Sequence, residues 1–204
     1  MKVLGISTVA ILLLLSGCSG FASFEYDIPL QKVLKGEGGS AEIVTTIIGG
    51  AKEQDETKYI FEDNAMRMEW HTSVDFHHFK LTNKTDQNIT ILWGEAAYLF
   101  PGRPSERLGH FSGGAIIRTT DSGKPSVVAA RATIKDAVFP ARKSLLRLYN
   151  QPLFKLDKAN RKSSQAVINE LRGKTVSVRL PMEVRGRKIG YRFVFLIRDI
   201  IIKD

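Results

Sequence analysis

Four histidines, His71, His77, His78 and His110, are the side chains best suited to proton transfer or metal binding in this chain. On an extended segment Asp75 and His77 share a parity and project the same way, with His71 near them. Zinc requires three or four such ligands around one point. The local pattern argues for something plainer. Val74 and Phe76 are in one apolar phase, Phe79 and Leu81 in the other, and a β-bulge at His77-His78 accounts for the slip. No metal and no cofactor is therefore expected. A nucleophile is equally hard to find. Gly109-His110-Phe111-Ser112-Gly113 has the ingredients of a nucleophile elbow at the wrong spacing. Asp121-Ser122-Gly123-Lys124-Pro125 reads as a turn and lacks the phosphate-loop spacing. With 21 acidic residues, some carboxylate pair can always be drawn, so that count carries no information. The expectation is a non-enzymatic protein; a deep pocket joining His110 or His77 to a carboxylate would revive catalysis.

The one residue in an unmistakable chemical setting is the single cysteine, Cys18. Met1-Lys2 gives a positive start, and Val9 to Leu15 is unbroken apolar sequence. That run is too short to span a bilayer, which needs about 20 residues. It has the form of a helical export signal. Leu15-Ser16-Gly17-Cys18 then resembles the bacterial lipobox. The resemblance implies a diacylglyceryl group on the Cys18 sulfur, removal of residues 1–17 and acylation of the new amino terminus. One acyl chain gives only reversible membrane attachment, whereas two or three hold a protein durably. In a host with two membranes, Ser19, where an Asp would imply inner-membrane retention, implies the outer membrane, facing the periplasm; in a host with one membrane the resemblance implies its outer face. Once Cys18 is lipidated, no thiol remains for a disulfide or a thiolate metal site, and the body must be stable through its core alone. About 185 residues suffice for one such domain.

The formal charge is +9, and loss of Lys2 with the leader makes it +8. A basic body favours anionic partners such as lipopolysaccharide, peptidoglycan or other acidic glycans. Nucleic acid is not expected, since no recognition motif is present. Most basic residues are scattered, which suits an ordinary solvated surface. Five, however, come from one segment: Arg179, Arg185, Arg187, Lys188 and Arg192 form a candidate anionic-ligand patch.

These residues need a scaffold, and the chain reads as short strands separated by turn residues. Candidates are Ala41 to Ile48, Lys58 to Glu62, Asn64 to His71, Phe76 to Thr82, Ile89 to Trp93 and Ala96 to Phe100. Arg107 to Phe111, Ala115 to Thr119, Val127 to Ala132 and Ser144 to Tyr149 follow. In Thr175 to Arg185, Val176, Val178, Leu180, Met182 and Val184 share one face, with polar residues opposite. Pro181 cannot donate to a ladder, which predicts an edge strand or a bulge there. Arg185-Gly186-Arg187-Lys188 turns the chain into a last strand, Lys188 to Ile202. Ser163 to Leu171 alone has helical spacing, with a Ser N-cap and Gly173 beyond its end. Trp70 and Trp93 are expected to fill the core. Phe21, Phe24 and Tyr26 suit either the bilayer interface or the first edge of the core.

The pattern predicts three regions: a lipoprotein signal peptide at 1–17, a lipidated N-terminus and tether at 18–40, and a β domain at 41–204. Phe79 to Trp93, Ala96 to Gly102, Arg107 to His110, Leu180 to Val184 and Tyr191 to Phe195 resemble uncharacterised bacterial envelope lipoproteins with a lipobox and a single Ig-like β-sandwich. The resemblance implies a mainly β, antiparallel Ig-like β-sandwich with one short helix near 163–171. It implies a membrane-attached envelope protein presenting a structural or protein-interaction surface, and it brings no catalytic residues.

Overall fold

The computed structural model describes residues 23–36, 42–43, 47–53, 56–73, 75–112, 115–118, 123–141, 153–154, 156–157 and 159–203. Cys18, Phe21, Val74 and the segment Ser144 to Tyr149 lie outside the described residues. The strands are β1 (Ser23–Asp27), β2 (Leu30–Gly36), β3 (Glu42–Ile43), β4 (Ile47–Glu53), β5 (Glu56–Glu62), β6 (Met66–Thr72), β7 (His77–Asn83) and β8 (Ile89–Ile91). A 3-10 turn, Trp93–Glu95, leads to β9 (Ala97–Leu99), β10 (Glu106–Ser112), β11 (Ala115–Arg118), β12 (Ser126–Val128) and β13 (Thr133–Pro140). Helix α1 (Arg161–Leu171) precedes β14 (Thr175–Val184), β15 (Arg187–Leu196) and β16 (Asp199–Lys203).

The protein is mainly β, and its described strand pairs are all antiparallel. Fourteen strands belong to a single sheet whose main path runs β3-β2-β15-β14-β9-β10-β13-β7-β6-β5-β4. This is a near-barrel, and it replaces the two separate sheets of the Ig-like sandwich expected from the sequence. The reason lies in β10. Its Glu106 and Arg107 pair with β9, while Leu108 to His110 pair with β13. One strand thus serves both halves, and the sheet turns a corner through it. At that corner sits Gly109, on which the Phe139 ring lies.

The inner faces of the two halves meet in one core. Trp70 of β6 packs on Phe193 and Phe195 of β15, with ring centroids 4.8 and 5.3 Å apart. Phe61 of β5 meets Tyr191 and Phe193 edge-on. Both tryptophans are buried, as expected, although Trp93 stands in the 3-10 turn and not in a strand. On the outer face, Phe76, Phe139 and Ala137 form a small second cluster with Phe111 against it. That cluster explains the phase slip near the histidines. β6 and β7 pair in unbroken register from Met66–Asn83 to Thr72–His77, so no bulge exists there. β7 simply starts at His77, and Phe76 precedes it in a loop, facing the other side of the sheet.

The C-terminal hairpin forms as its alternation predicts, with two differences. The last strand is interrupted at Ile197-Arg198, giving β15 and β16. Pro181 lies neither on an edge nor in a bulge. β14 is central: β15 flanks it on one side, and on the other β9 covers Ser177 to Arg179 while β8 covers Met182 to Val184. Pro181 sits at the fork between β9 and β8, where a strand N–H would have no ladder partner. Its carbonyl accepts from the Leu92 N–H at 2.9 Å.

Helix α1 starts two residues earlier than predicted. Its N-cap is Asn160, whose side chain accepts from the Ser163 N–H at 3.0 Å, and not a serine. Gly173, at φ +80°, ends it as expected. Ile168 enters the core, with Val167 and Leu171 packed against it. Two strands lie in the stretch read as a tether. β1 pairs with β16, β2 pairs with β15, and Phe24, Ile28, Leu30 and Val33 are buried. Phe24 and Tyr26 therefore belong to the edge of the core, Tyr26 meeting Phe154 at 5.6 Å.

Candidate anion-binding site

The five basic residues singled out from the sequence fall into three groups. Arg179 and Arg192 are cross-strand partners on the outer face of β14 and β15, both exposed. Lys188 also faces outward, but its ammonium pairs with Glu95 at 2.5 Å. Arg185 and Arg187 lie at the hairpin end. There Arg185 (φ 51°) and Gly186 (φ 71°) both take the left-handed conformation that a two-residue type I′ turn demands. From Arg179 to Arg185 the strand covers about 20 Å. The patch is therefore not one surface.

The hairpin end has a geometry of its own. Val184 and Arg187 are register partners, as are Lys35 and Tyr191. By strand parity Val184, Arg187, Ile189, Tyr191 and Lys35 all sit on the inner face, at the rim of the near-barrel. The turn between β5 and β6 approaches this rim from the opposite half. Between them lies a concavity of about 410 Å³ lined by Lys35, Asn64, Ala65, Val184, Arg185, Arg187 and Ile189. Its floor is apolar: Ala65, Val184 and Ile189 are buried. Its walls carry three cations and an amide, and barrel mouths commonly receive ligands in this way.

One carboxylate closes the rim below the mouth. Asp63 accepts from Lys35 Nζ at 2.7 Å and from the Tyr191 hydroxyl at 3.0 Å. Its other oxygen accepts from the N–H groups of Ala65 and Met66. The Lys84 ammonium donates to the Asp63 carbonyl and to Glu62. Burial, the largest influence, pushes the Asp63 carboxyl up. The Lys35 hydrogen bond and the Met66 and Ala65 N–H groups outweigh it, and the group ends below the ordinary value. Burial first, and the Asp63 charge second, push the Tyr191 phenol up, so it stays a neutral donor. Asp63 is thus fully occupied by its own donors. No ion-pair partner for Arg185 or Arg187 exists among the described residues.

The histidines do different work. His110 Nδ1 lies 3.0 Å from Asp136 Oδ2, with the side chains 2% and 6% exposed. The His110 ring stacks on Trp93 at 3.9 Å and 9°. The Trp93 indole N–H donates to Ser126 Oγ at 2.8 Å. A histidine is therefore joined to a carboxylate, but inside the packed interior. His77 is likewise buried, its ring nitrogens 2.9 Å from Thr72 Oγ1 and 2.8 Å from the Tyr98 hydroxyl, its ring stacked on Phe195. Both are satisfied polar groups of the core. Sequence reasoning missed the His110–Asp136 pair because β13 itself was not foreseen: Lys135-Asp136 interrupts its apolar run, and the inward carboxylate makes sense only once His110 is opposite. His71 and His78 are cross-strand partners on the outer face. Among the described residues no group of three or more His, Cys, Asp or Glu could hold a metal ion. No described helix is long and apolar enough to cross a membrane.

The class defined by these observations is an antiparallel β near-barrel with a basic mouth. No family model matches the chain, and no curated protein or solved structure matches it.

Proposed function

We propose that this chain is a lipid-anchored, non-enzymatic protein of the bacterial cell envelope, attached through Cys18 to the periplasmic face of the outer membrane. The observation that carries the reading is Leu15-Ser16-Gly17-Cys18 directly after a short positive, apolar leader. The body is suited to that setting, since a disulfide-free domain needs a continuous core and this one has it. Its role is to present a rigid β surface close to a bilayer. The first described strand starts at Ser23, five residues after Cys18, so little chain separates anchor and body.

The test is metabolic labelling with palmitate together with fractionation of a Cys18→Ser variant. Label enters the wild type and not the variant, and the variant leaves the membrane fraction while keeping the same unfolding temperature. Unlabelled wild type, or a variant that stays with the membranes, refutes the anchor.

A second reading, that the protein binds an anionic envelope polymer such as lipopolysaccharide or peptidoglycan, is favoured by one observation. Arg185 and Arg187, without an ion-pair partner among the described residues, stand beside a concavity that Lys35 and Asn64 also line. This narrows the basic hairpin to its tip. Arg179 and Arg192 stand apart on the outer sheet face and take no part in it.

A further inference from the structure

We propose that the near-barrel mouth is a phosphate-binding site, with Arg185 and Arg187 as its ligating residues and the Asn64 amide as a third donor, and that it points away from the anchored end. The proposal rests on the anionic-ligand reading and deepens it; phosphate binding does not depend on lipidation, whereas the direction of the mouth rests on the Cys18 anchor. Guanidinium groups suit phosphate because their N–H groups form a planar fork that matches two oxygens at once. Two such groups occur at one hairpin tip, Arg185 within the turn and Arg187 two residues on, with no carboxylate partner described for either. Like charges held together without a counter-charge repel each other, and a bound anion relieves that repulsion. Asp63, the carboxylate of the β5–β6 turn, is compensated by Lys35, the Tyr191 hydroxyl and two backbone N–H groups, so its charge is already matched by its own donors. The apolar floor of Ala65, Val184 and Ile189 suits a phosphate carried on a larger, partly apolar molecule.

The direction follows from the ladder. β1 and β2 run beside β16 and β15, and backbone bonds continue across the break: Arg198 N–H to Asp27 O, Leu196 N–H to Pro29 O. Ser23 is opposite Lys203 at one end, and Gly36 is opposite Gly190 at the other. Thirteen residue steps of chain, at most about 43 Å, separate Ser23 from Gly36. The mouth is at the Gly36 end, and the residues nearest Cys18 are at the other. A phosphate group presented from beyond the anchoring leaflet is the geometry this favours.

The experiment uses the full chain in zwitterionic detergent micelles, titrated with inorganic phosphate and followed by amide and arginine side-chain NMR shifts. Saturable shifts centred on Arg185 to Lys188 are expected. Arg185→Gln/Arg187→Gln weakens binding about tenfold or more, and Arg179→Gln/Arg192→Gln leaves it unchanged. All substituted residues are exposed, and unaltered shifts elsewhere verify folding. A second arm reconstitutes the chain in phosphatidylcholine vesicles and offers separate phosphatidylglycerol vesicles. Capture that depends on Arg185 and Arg187 identifies a lipid headgroup as a source; saturable free-phosphate binding without capture identifies a soluble or polymer-borne phosphate. No saturable binding in either arm overturns the proposal. So does binding lost in Arg179→Gln/Arg192→Gln and kept in Arg185→Gln/Arg187→Gln, although that result upholds the broader anionic reading.

Discussion

Gly109 has no room for a side chain. A Cβ built there falls 2.5 Å from two ring carbons of Phe139. That ring is fully buried and held by Phe76 and Phe111, at centroid distances of 5.6 and 5.7 Å, so it has little freedom to retreat. Gly109→Ala is expected to lower stability by about 1–3 kcal/mol, as overpacking does elsewhere. A shift of the urea midpoint with unchanged slope is the readout. The Gly-His-Phe-Ser-Gly stretch is therefore better understood as the corner of a sheet than as a remnant of a nucleophile motif. His110, its neighbour, faces inward to Asp136 while Gly109 faces outward, as strand alternation requires.

At the scale of elements, helix α1 offers a clean measurement. Its first turn has no acidic residue, so Asn160 bears the capping alone. Asn160→Ala is expected to cost about 1 kcal/mol, seen as a lower thermal midpoint, with Asn160→Asp close to wild type. This helix was legible in the sequence because Gly173 and the Val167, Ile168, Leu171 spacing are local signals. The β14–β15 hairpin was legible for the same reason: ten residues of strict alternation followed by a basic Gly turn. Strands β1, β2 and β13 were not, and β4 runs on through Gly49-Gly50, where the sequence suggested a stop. β1 and β2 lie in a polar, short-patterned stretch whose burial depends on partners more than 150 residues away. β13 carries Asp136 at a core position. Each is specified by a tertiary partner and not by its own pattern, and propensity yields to context in such places. The candidate site shows the same division. The basic hairpin residues were legible, but Lys35 and Asn64, which complete the mouth, come from elements that only folding brings near.

For the whole molecule, Asp63 matters because it ties together the two halves of the folded sheet at the mouth. Its turn belongs to the β5–β6 side, and its partners Lys35 and Tyr191 belong to the β2–β15 side. Its pKa is lowered in the folded protein, so its contribution is fully present above the unfolded value, about 3.9. That contribution is lost as pH falls through the lower folded value. Stability is therefore expected to drop below about pH 4 more steeply in the wild type than in Asp63→Asn. At neutral pH that variant is itself weaker by about 2 kcal/mol, the scale of a lost charged hydrogen bond. Chemical denaturation at pH 3 and pH 7 on both proteins gives the four numbers needed. A wild type and variant with identical acid profiles would show that the tie contributes nothing.

The pairing of β1–β2 with β16–β15 has a mechanical meaning. Ladder hydrogen bonds lie across the strands, and Ser23 is the first described residue of β1. Traction on Ser23 along β1 is therefore a shearing load, shared at once by the rungs from Ser23–Lys203 to Asp27–Asp199. A sideways pull would open the same rungs one after another at far smaller force.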